Sequence, residues 1–263
     1  MEIMVNGRPV DSEEWLAWRE HGMDVQDIAR MLGVTTSRVE QLAKEFRNAG
    51  LSDPPFREPG PLFILDPGTD DGAYVLGILW GLLSVAEDGY WVGHEDKWYI
   101  DTVQEHLGVE GFASYSSSGG QWTLRINRPA DVISLRQILD VQAWTPGNAM
   151  ERPYPDGPLD DRGFIRAWFE LHSKVDMVRT GRERKQTPRL RVTGEKNLLY
   201  DLKGVLSLWT GAPGRLQKTS ADTQILYYHG SVFLGLLDWL YDGAALSNLG
   251  VRERLYAAFG GDK

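Results

Sequence analysis

No cysteine occurs among the 263 residues. That excludes a disulfide framework, a thiolate metal site and a cysteine nucleophile, and it fits an intracellular protein. Long apolar runs are missing too. The longest, near Tyr74 to Val85, is interrupted by Gly77 and Gly81 and is too short to span a bilayer. The N-terminus, Met-Glu-Ile-Met-Val-Asn-Gly-Arg, has no basic region followed by an apolar stretch, so a soluble, cytoplasmic chain without a leader or membrane contact is expected.

Basic charge is scarce overall. With 28 Lys and Arg against 37 Asp and Glu the formal net charge is −9, which argues against indiscriminate binding to polyanions. Histidine is scarce as well: of 5 in the chain, His94, His106, His172 and His229 fall on separate elements without ligand spacing, so no zinc site and no cofactor is expected. Ser116 to Gly120 has the small residues of a phosphate loop but no following lysine or helix start, and reads as a hairpin loop.

What is present supports a packed core. Hydrophobic residues make up 42% of the chain, and the 10 Trp supply large, rigid apolar surface. Trp209 and Trp239 stand at helical positions that suggest burial. One local strip runs against the acidic average: Arg179, Arg182, Arg184, Lys185, Arg189 and Arg191 are accompanied by Glu183 alone.

Residues 1–51 read as three short helices. Ser12 caps the first, with Glu13 and Glu14 in its first turn; Asp24 caps the second; Gly33 breaks the chain, and Thr35 or Thr36 caps the third. Residues 52–69, with Pro54, Pro55, Pro59 and Pro61, form a semi-rigid linker, and a second proline-rich break covers 145–158. Between and after these breaks, 70–144 and 159–263 share one order of elements: helix, hairpin, helix, hairpin, helix. The later segment has a further C-terminal helix. An apolar first helix carrying small residues (Gly77 and Gly81 in one copy, Ala167 in the other) cannot be buried within its own half, but two copies can pack together.

Two resemblances follow from these stretches. "DIARMLGVTTSRVEQLAKEF" resembles a helix-turn-helix, which implies that Thr36, Ser37, Arg38, Gln41 and Lys44 face the major groove; a tri-helical bundle used for protein contact is the alternative. "AYVLGILWGLLSV" with "KWYIDTVQEHLGV", and "GFIRAWFELHSKV" with "RLRVTGEKNLLYDLKGVL" and "VFLGLLDWLYDGA", resemble the single-chain LAGLIDADG homing endonucleases. The fold implied is α+β: a tri-helical head followed by a pseudo-two-fold body of two αββαββα halves. Arg179, Arg189, Arg191 and Lys218, with Arg125 and Arg128 in the first half, then fall where that family's DNA-facing residues sit, and Arg182, Arg184 and Lys185 join them through the basic strip.

Cleavage in that family needs an acid at the end of each first helix to hold divalent ions. Here those positions align with Leu82 and His172. The expectation is therefore a non-cleaving regulator of the phage or mobile-element repressor type, with no catalytic residue and no metal, reading a long asymmetric double-stranded DNA site as a monomer. The alternative is an active homing endonuclease with non-standard metal ligands.

Overall fold

Asn6 and Gly7 both take positive φ, 51° and 78°, the left-handed pair that a two-residue hairpin turn demands. They join β1 (Glu2–Val5) to β2 (Arg8–Asp11), an antiparallel hairpin absent from the sequence expectation. The computed structural model describes residues 2–20, 25–51, 65–109, 113–117, 119–180, 185–219, 223–230 and 232–259. The chain divides into two units, Met1–Pro61 and Leu62–Lys263.

In the first unit the hairpin is followed by α1 (Ser12–Glu20), α2 (Val25–Leu32) and α3 (Thr36–Asn48). Val5 and Val10 from the hairpin and Trp15, Ile28, Leu32, Val39, Leu42 and Phe46 from the helices form one buried cluster. Trp15 stacks on Phe46 with ring centres 5.4 Å apart. Gly33, at φ 65°, makes the turn between α2 and α3. Thr35 rather than Thr36 caps α3, its side chain accepting from the Arg38 amide. The expected cap Asp24 and most of the 52–69 linker lie outside the described residues.

The second unit repeats one pattern. Its first half runs α4 (Asp70–Leu82), β3 (Leu83–Ala86), β4 (Gly89–His94), α5 (Lys97–Leu107), β5 (Ser114–Ser116), β6 (Gln121–Ile126) and α6 (Pro129–Val141). After a single 3-10 turn at Ala149–Glu151 the second half runs α7 (Asp161–His172), β7 (Ser173–Thr180), β8 (Lys185–Glu195), α8 (Lys196–Thr210), β9 (Arg215–Lys218), β10 (Thr223–His229) and α9 (Val232–Tyr241), and α10 (Leu249–Ala258) closes the chain. The sheets have the same strand order, β3-β4-β6-β5 and β7-β8-β10-β9, with every neighbour antiparallel. This is the α+β body of two αββαββα halves.

The two first helices are buried on every side, from Gly72 to Trp80 in α4 and from Gly163 to Glu170 in α7. Beyond its first turn α4 is apolar on every side and must lie inside, whereas α7 buries Arg166 and Glu170 by giving each hydrogen-bond partners. The two helices pack on each other. Gly77 and Ala167 each stand five residues before the last residue of their helix, Leu82 and His172, and meet at the seam: a Cβ added to Gly77 would lie 2.6 Å from that of Ala167 and 2.9 Å from the Phe164 carbonyl oxygen. Gly163 makes a second close approach, beneath the Asp70 carbonyl. At the same end Asp70 accepts from Arg162 at 3.1 Å and from both terminal nitrogens of the fully buried Arg166, at 3.1 and 2.5 Å. Burial alone would raise the pKa of Asp70, but the two guanidinium groups outweigh it and leave it lowered.

Trp209, expected to be buried, is 61% exposed at the end of α8. Among the described residues no helix is long and apolar enough to cross a membrane.

Candidate nucleic-acid interface

Alternation along each strand decides which side chains leave the sheet away from the helices. In β8, Leu190 and Val192 are buried on the helical side, so Arg189, Arg191 and Thr193 stand on the open face. Register carries this across the sheet: Arg191 lies opposite Lys174 and Tyr227, Arg189 opposite Asp176 and His229, and Tyr227 opposite Arg215. The open face of the second sheet thus carries Lys174, Arg191 and Arg215 in one row across the strands, with Arg189 in the next row beside Asp176.

Asp176 organises the two arginines. Arg189 donates to both its carboxylate oxygens, at 2.9 and 2.7 Å, and Arg191 Nε lies 3.2 Å from one of them. The Arg189 hydrogen bond, and then the charges of both arginines, hold the Asp176 carboxyl below its usual range. One carboxylate between two guanidinium groups leaves a net positive charge. Arg189 also lies 5.7 Å over the Tyr227 ring, which meets His229 edge-on at 5.2 Å. Burial, then the charges of Arg189 and Arg215, lower the pKa of His229.

The first sheet is different. Leu124 and Ile126 are buried on the helical side, which turns Thr123 and Arg125 outward together with Ser84, Trp91, Ser114 and Ser116. Arg125 is paired at 3.2 Å with Asp88 in the β3–β4 turn. That face is polar and close to neutral.

Several of the expected contact residues are placed elsewhere, for one reason: neighbours in a strand point to opposite faces. Arg179, opposite Gln186, shares the alternation of Val175 and Met177, and Lys218, opposite Gln224, that of Leu216. Both belong to the helical side of the sheet. Arg128 is at the cap of α6, 3.7 Å from the buried Asp131. Lys185 opens β8 opposite Thr180; its side chain, and Arg182 and Arg184 altogether, lie outside the described residues. Conversely, Lys174, Arg215, Tyr227 and His229 are absent from the sequence expectation. The apolar Leu216 between Arg215 and Gln217 is the signal that assigns Arg215 its face.

On α3, Ser37, Gln41 and Lys44 are exposed and follow helical spacing on one stripe, with Thr36 exposed beside it. Arg38 leaves that stripe. It donates to Glu45 at 3.0 Å and to the Met4 carbonyl at 3.4 Å, tying α3 to the β1 strand.

At the ends of the two central helices the residues do not fit a divalent cation. α4 ends on Leu82, which has no lone pair to offer. α7 ends on His172, whose pKa is pushed down to about 3 by burial and then by the charges of His94 and Arg152, and whose Nε2 is buried without a hydrogen-bond partner among the described residues. Hard cations prefer oxygen ligands, and among the described residues no cluster of three histidine or acidic side chains could hold a metal ion. The nearby buried acid, Glu170, is engaged in packing: it accepts from the Tyr74 hydroxyl and, at 3.1 Å, from the Asn248 amide that begins α10.

These two groups set opposite pH dependences. His172 gains a proton in the unfolded chain near 6.5 but not in the folded one, so its contribution is complete above 6.5 and is lost as pH falls toward 3. Burial raises Glu170 from 4.5 to about 7, against the hydrogen bonds of Tyr74 and Asn248, so its contribution is complete below 4.5 and is lost as pH rises through 7. Unfolding midpoints measured across pH will show Glu170→Gln stabilised relative to the parent above 7 and not below 4.5, and His172→Gln with a flatter acid limb.

Solved structures that share this arrangement decide the fold. It is the fold of the LAGLIDADG homing endonucleases. The I-LtrWI endonuclease bound to target DNA superposes with a TM-score of 0.53 at 10% identity, over 73% of this chain and 90% of that one. I-SmaMI bound to cleaved DNA gives 0.51 at 10% identity, over 75% and 90%, and I-AabMI bound to uncleaved DNA gives 0.50 at 12%, over 72% and 90%. No family model and no curated protein matches the chain.

These neighbours correct the expectation of a transcriptional regulator of the repressor type that is not an enzyme. These three neighbours are endonucleases, one of them solved on DNA already cut.

Proposed function

We propose that the chain binds double-stranded DNA through the open faces of its two sheets, as the saddle of a homing-endonuclease-type protein, with the α3 stripe of the head as a separate contact. The observation that carries this reading is the placement of Lys174, Arg189, Arg191 and Arg215 on one sheet face in a chain of net charge −9. Phosphate contact needs local cations, not a basic average. Gln41 and Lys44 suit base edges and phosphates respectively. The halves differ in charge, and one head occurs per chain, so the site is long and asymmetric and a monomer covers it. Linking head and body raises the effective concentration of each at its subsite.

Cleavage of the bound duplex is the second reading, favoured by the endonucleases of the same fold. With Leu82 and His172 at the helix ends it has to draw on acids outside those two positions. One experiment addresses both. Selection from random duplex DNA at moderate salt will enrich a non-palindromic motif, and incubating that duplex with magnesium shows whether it is cut; specific double-strand breaks abolished by chelator establish the endonuclease. Enrichment of no motif would overturn the binding proposal itself.

A further inference from the structure

Where α4 ends, a side chain from the break between the halves closes over the helix. Arg152, just after the 3-10 turn, is 1% exposed. Its guanidinium donates to the carbonyl oxygens of Trp80 and, at 2.7 Å, Leu83, which flank Leu82. It also donates to Thr145 at 3.1 Å and Gly147 at 2.9 Å, and it stacks 4.6 Å from the centre of the Trp144 ring. Four carbonyl oxygens from two chain segments thus converge on one cation. Carbonyl oxygens at a helix C-terminus carry partial negative charge and have no intrahelical donors. Burial lowers the pKa of Arg152 only to about 10, so it stays charged at neutral pH.

We propose that Arg152 is the resident cation of this helix end: its guanidinium neutralises the carbonyl end of α4, close to Leu82 and His172, the positions that the family resemblance assigns to divalent-ion ligands, and so makes the joining of the 145–152 segment to α4 independent of added metal. The local composition agrees. His172 faces the same charge as a neutral ring and Leu82 adds none, and burial is the one cause that shifts Arg152, with no carboxylate charge among the described residues acting on it. A divalent ion at this spot would meet a fixed positive charge and carbonyl oxygens already taken.

Thermal unfolding of the full chain tests it. The midpoint of the parent protein should be the same in chelator and in millimolar magnesium, calcium or manganese. Arg152→Ala leaves a buried ring of carbonyl oxygens without a donor and should lower the midpoint by roughly 10 °C, and methylguanidinium, but not ethylammonium, should restore part of the loss. If that variant does not fold, Arg152→Lys, with a compact ammonium in place of a planar fork, should show a smaller fall. A reading that needs no variant is manganese titration of the parent followed by NMR of the indole N–H signals: those of Trp80 and Trp144 should keep their line widths. Selective broadening of these two signals, or a midpoint raised several degrees by a divalent ion in the parent, would overturn the proposal, as would an Arg152→Ala protein as stable as the parent.

Discussion

Replacing Arg189 and Arg191 together by glutamine will weaken binding to the selected duplex by about thirtyfold or more, on the order of 1 to 3 kcal/mol per guanidinium. The reason is geometric. Both side chains stand on the open face of β8. Asp176 holds them in place without consuming both charges. If each meets a phosphate, the salt dependence changes as well: the slope of log affinity against log salt should shrink by about 0.9 for each phosphate left without its guanidinium. Arg179→Gln with Lys218→Gln is the control. It removes the same formal charge from the same sheet, but on the alternation of Val175 and Leu216, and it should weaken binding at most a few fold. Equal effects from the two pairs would mean that the chain senses charge at long range and not through one face. Affinities measured at several salt concentrations separate these outcomes.

The second large effect lies in the seam. Gly77→Ala adds one carbon, and that carbon would sit 2.6 Å from the Ala167 Cβ and 2.9 Å from a backbone oxygen of α7. Neither can swing aside as the end of a flexible side chain could, so the two central helices must separate. Overpacking a core of this kind costs about 1 to 3 kcal/mol, and a midpoint lower by roughly 4 to 10 °C is expected. DNA affinity should fall with it, because the two sheets take their relative position from these helices. Gly204→Ala is the opposite case. It is also in a helix, but exposed on α8 with nothing within 4 Å of an added Cβ, and glycine there costs helix stability relative to alanine. The chemically identical change should raise the midpoint slightly. Calorimetry on the two variants would show shifts of opposite sign; a neutral Gly77→Ala would mean that the helices do not meet as described.

Much of this architecture is legible in the sequence because its signals are local. α5 is one case, opened by Asp96, whose side chain accepts from the Trp98 amide, and ended by Gly108 at φ 59°. Gly77 and Ala167 are recognisable as seam residues from size alone, and they touch. Gly163, which does the same work at the other end, gives no such signal, because a glycine in the first turn of a helix has a ready explanation in capping. The Asn6–Gly7 turn has its own signature, flanked by Ile3, Val5 and Val10, but the stronger helical patterns that follow dominate the segment.

The interface is harder to read, for a physical reason. A cluster of arginines along a strand is split by alternation, so proximity in sequence does not give proximity on a face. Arg179 and Arg189 separate in this way, while Arg215, far along the chain, joins Arg191 through Tyr227. Arg38 illustrates a second limit. Its position on a helix-turn-helix pattern suggests base contact, but Glu45 and the Met4 carbonyl claim it, and the hairpin that supplies Met4 is not part of that pattern. Leu82 and His172 do stand at the helix ends, as their alignment implies, whereas Arg152, the group that meets the carbonyl oxygens there, comes from a segment that reads only as a proline-rich break.

If the paired sheets, and not the head alone, engage duplex DNA, methylation interference on the selected duplex will show it most directly, because modification of guanine N7 blocks the major groove. Bound by the full chain, the duplex should show interference in two separated blocks, a short one from α3 and a longer one from the body, with the body's block abolished in the Arg189→Gln, Arg191→Gln protein. A single short block, unchanged by that double substitution, would contradict engagement through the sheets.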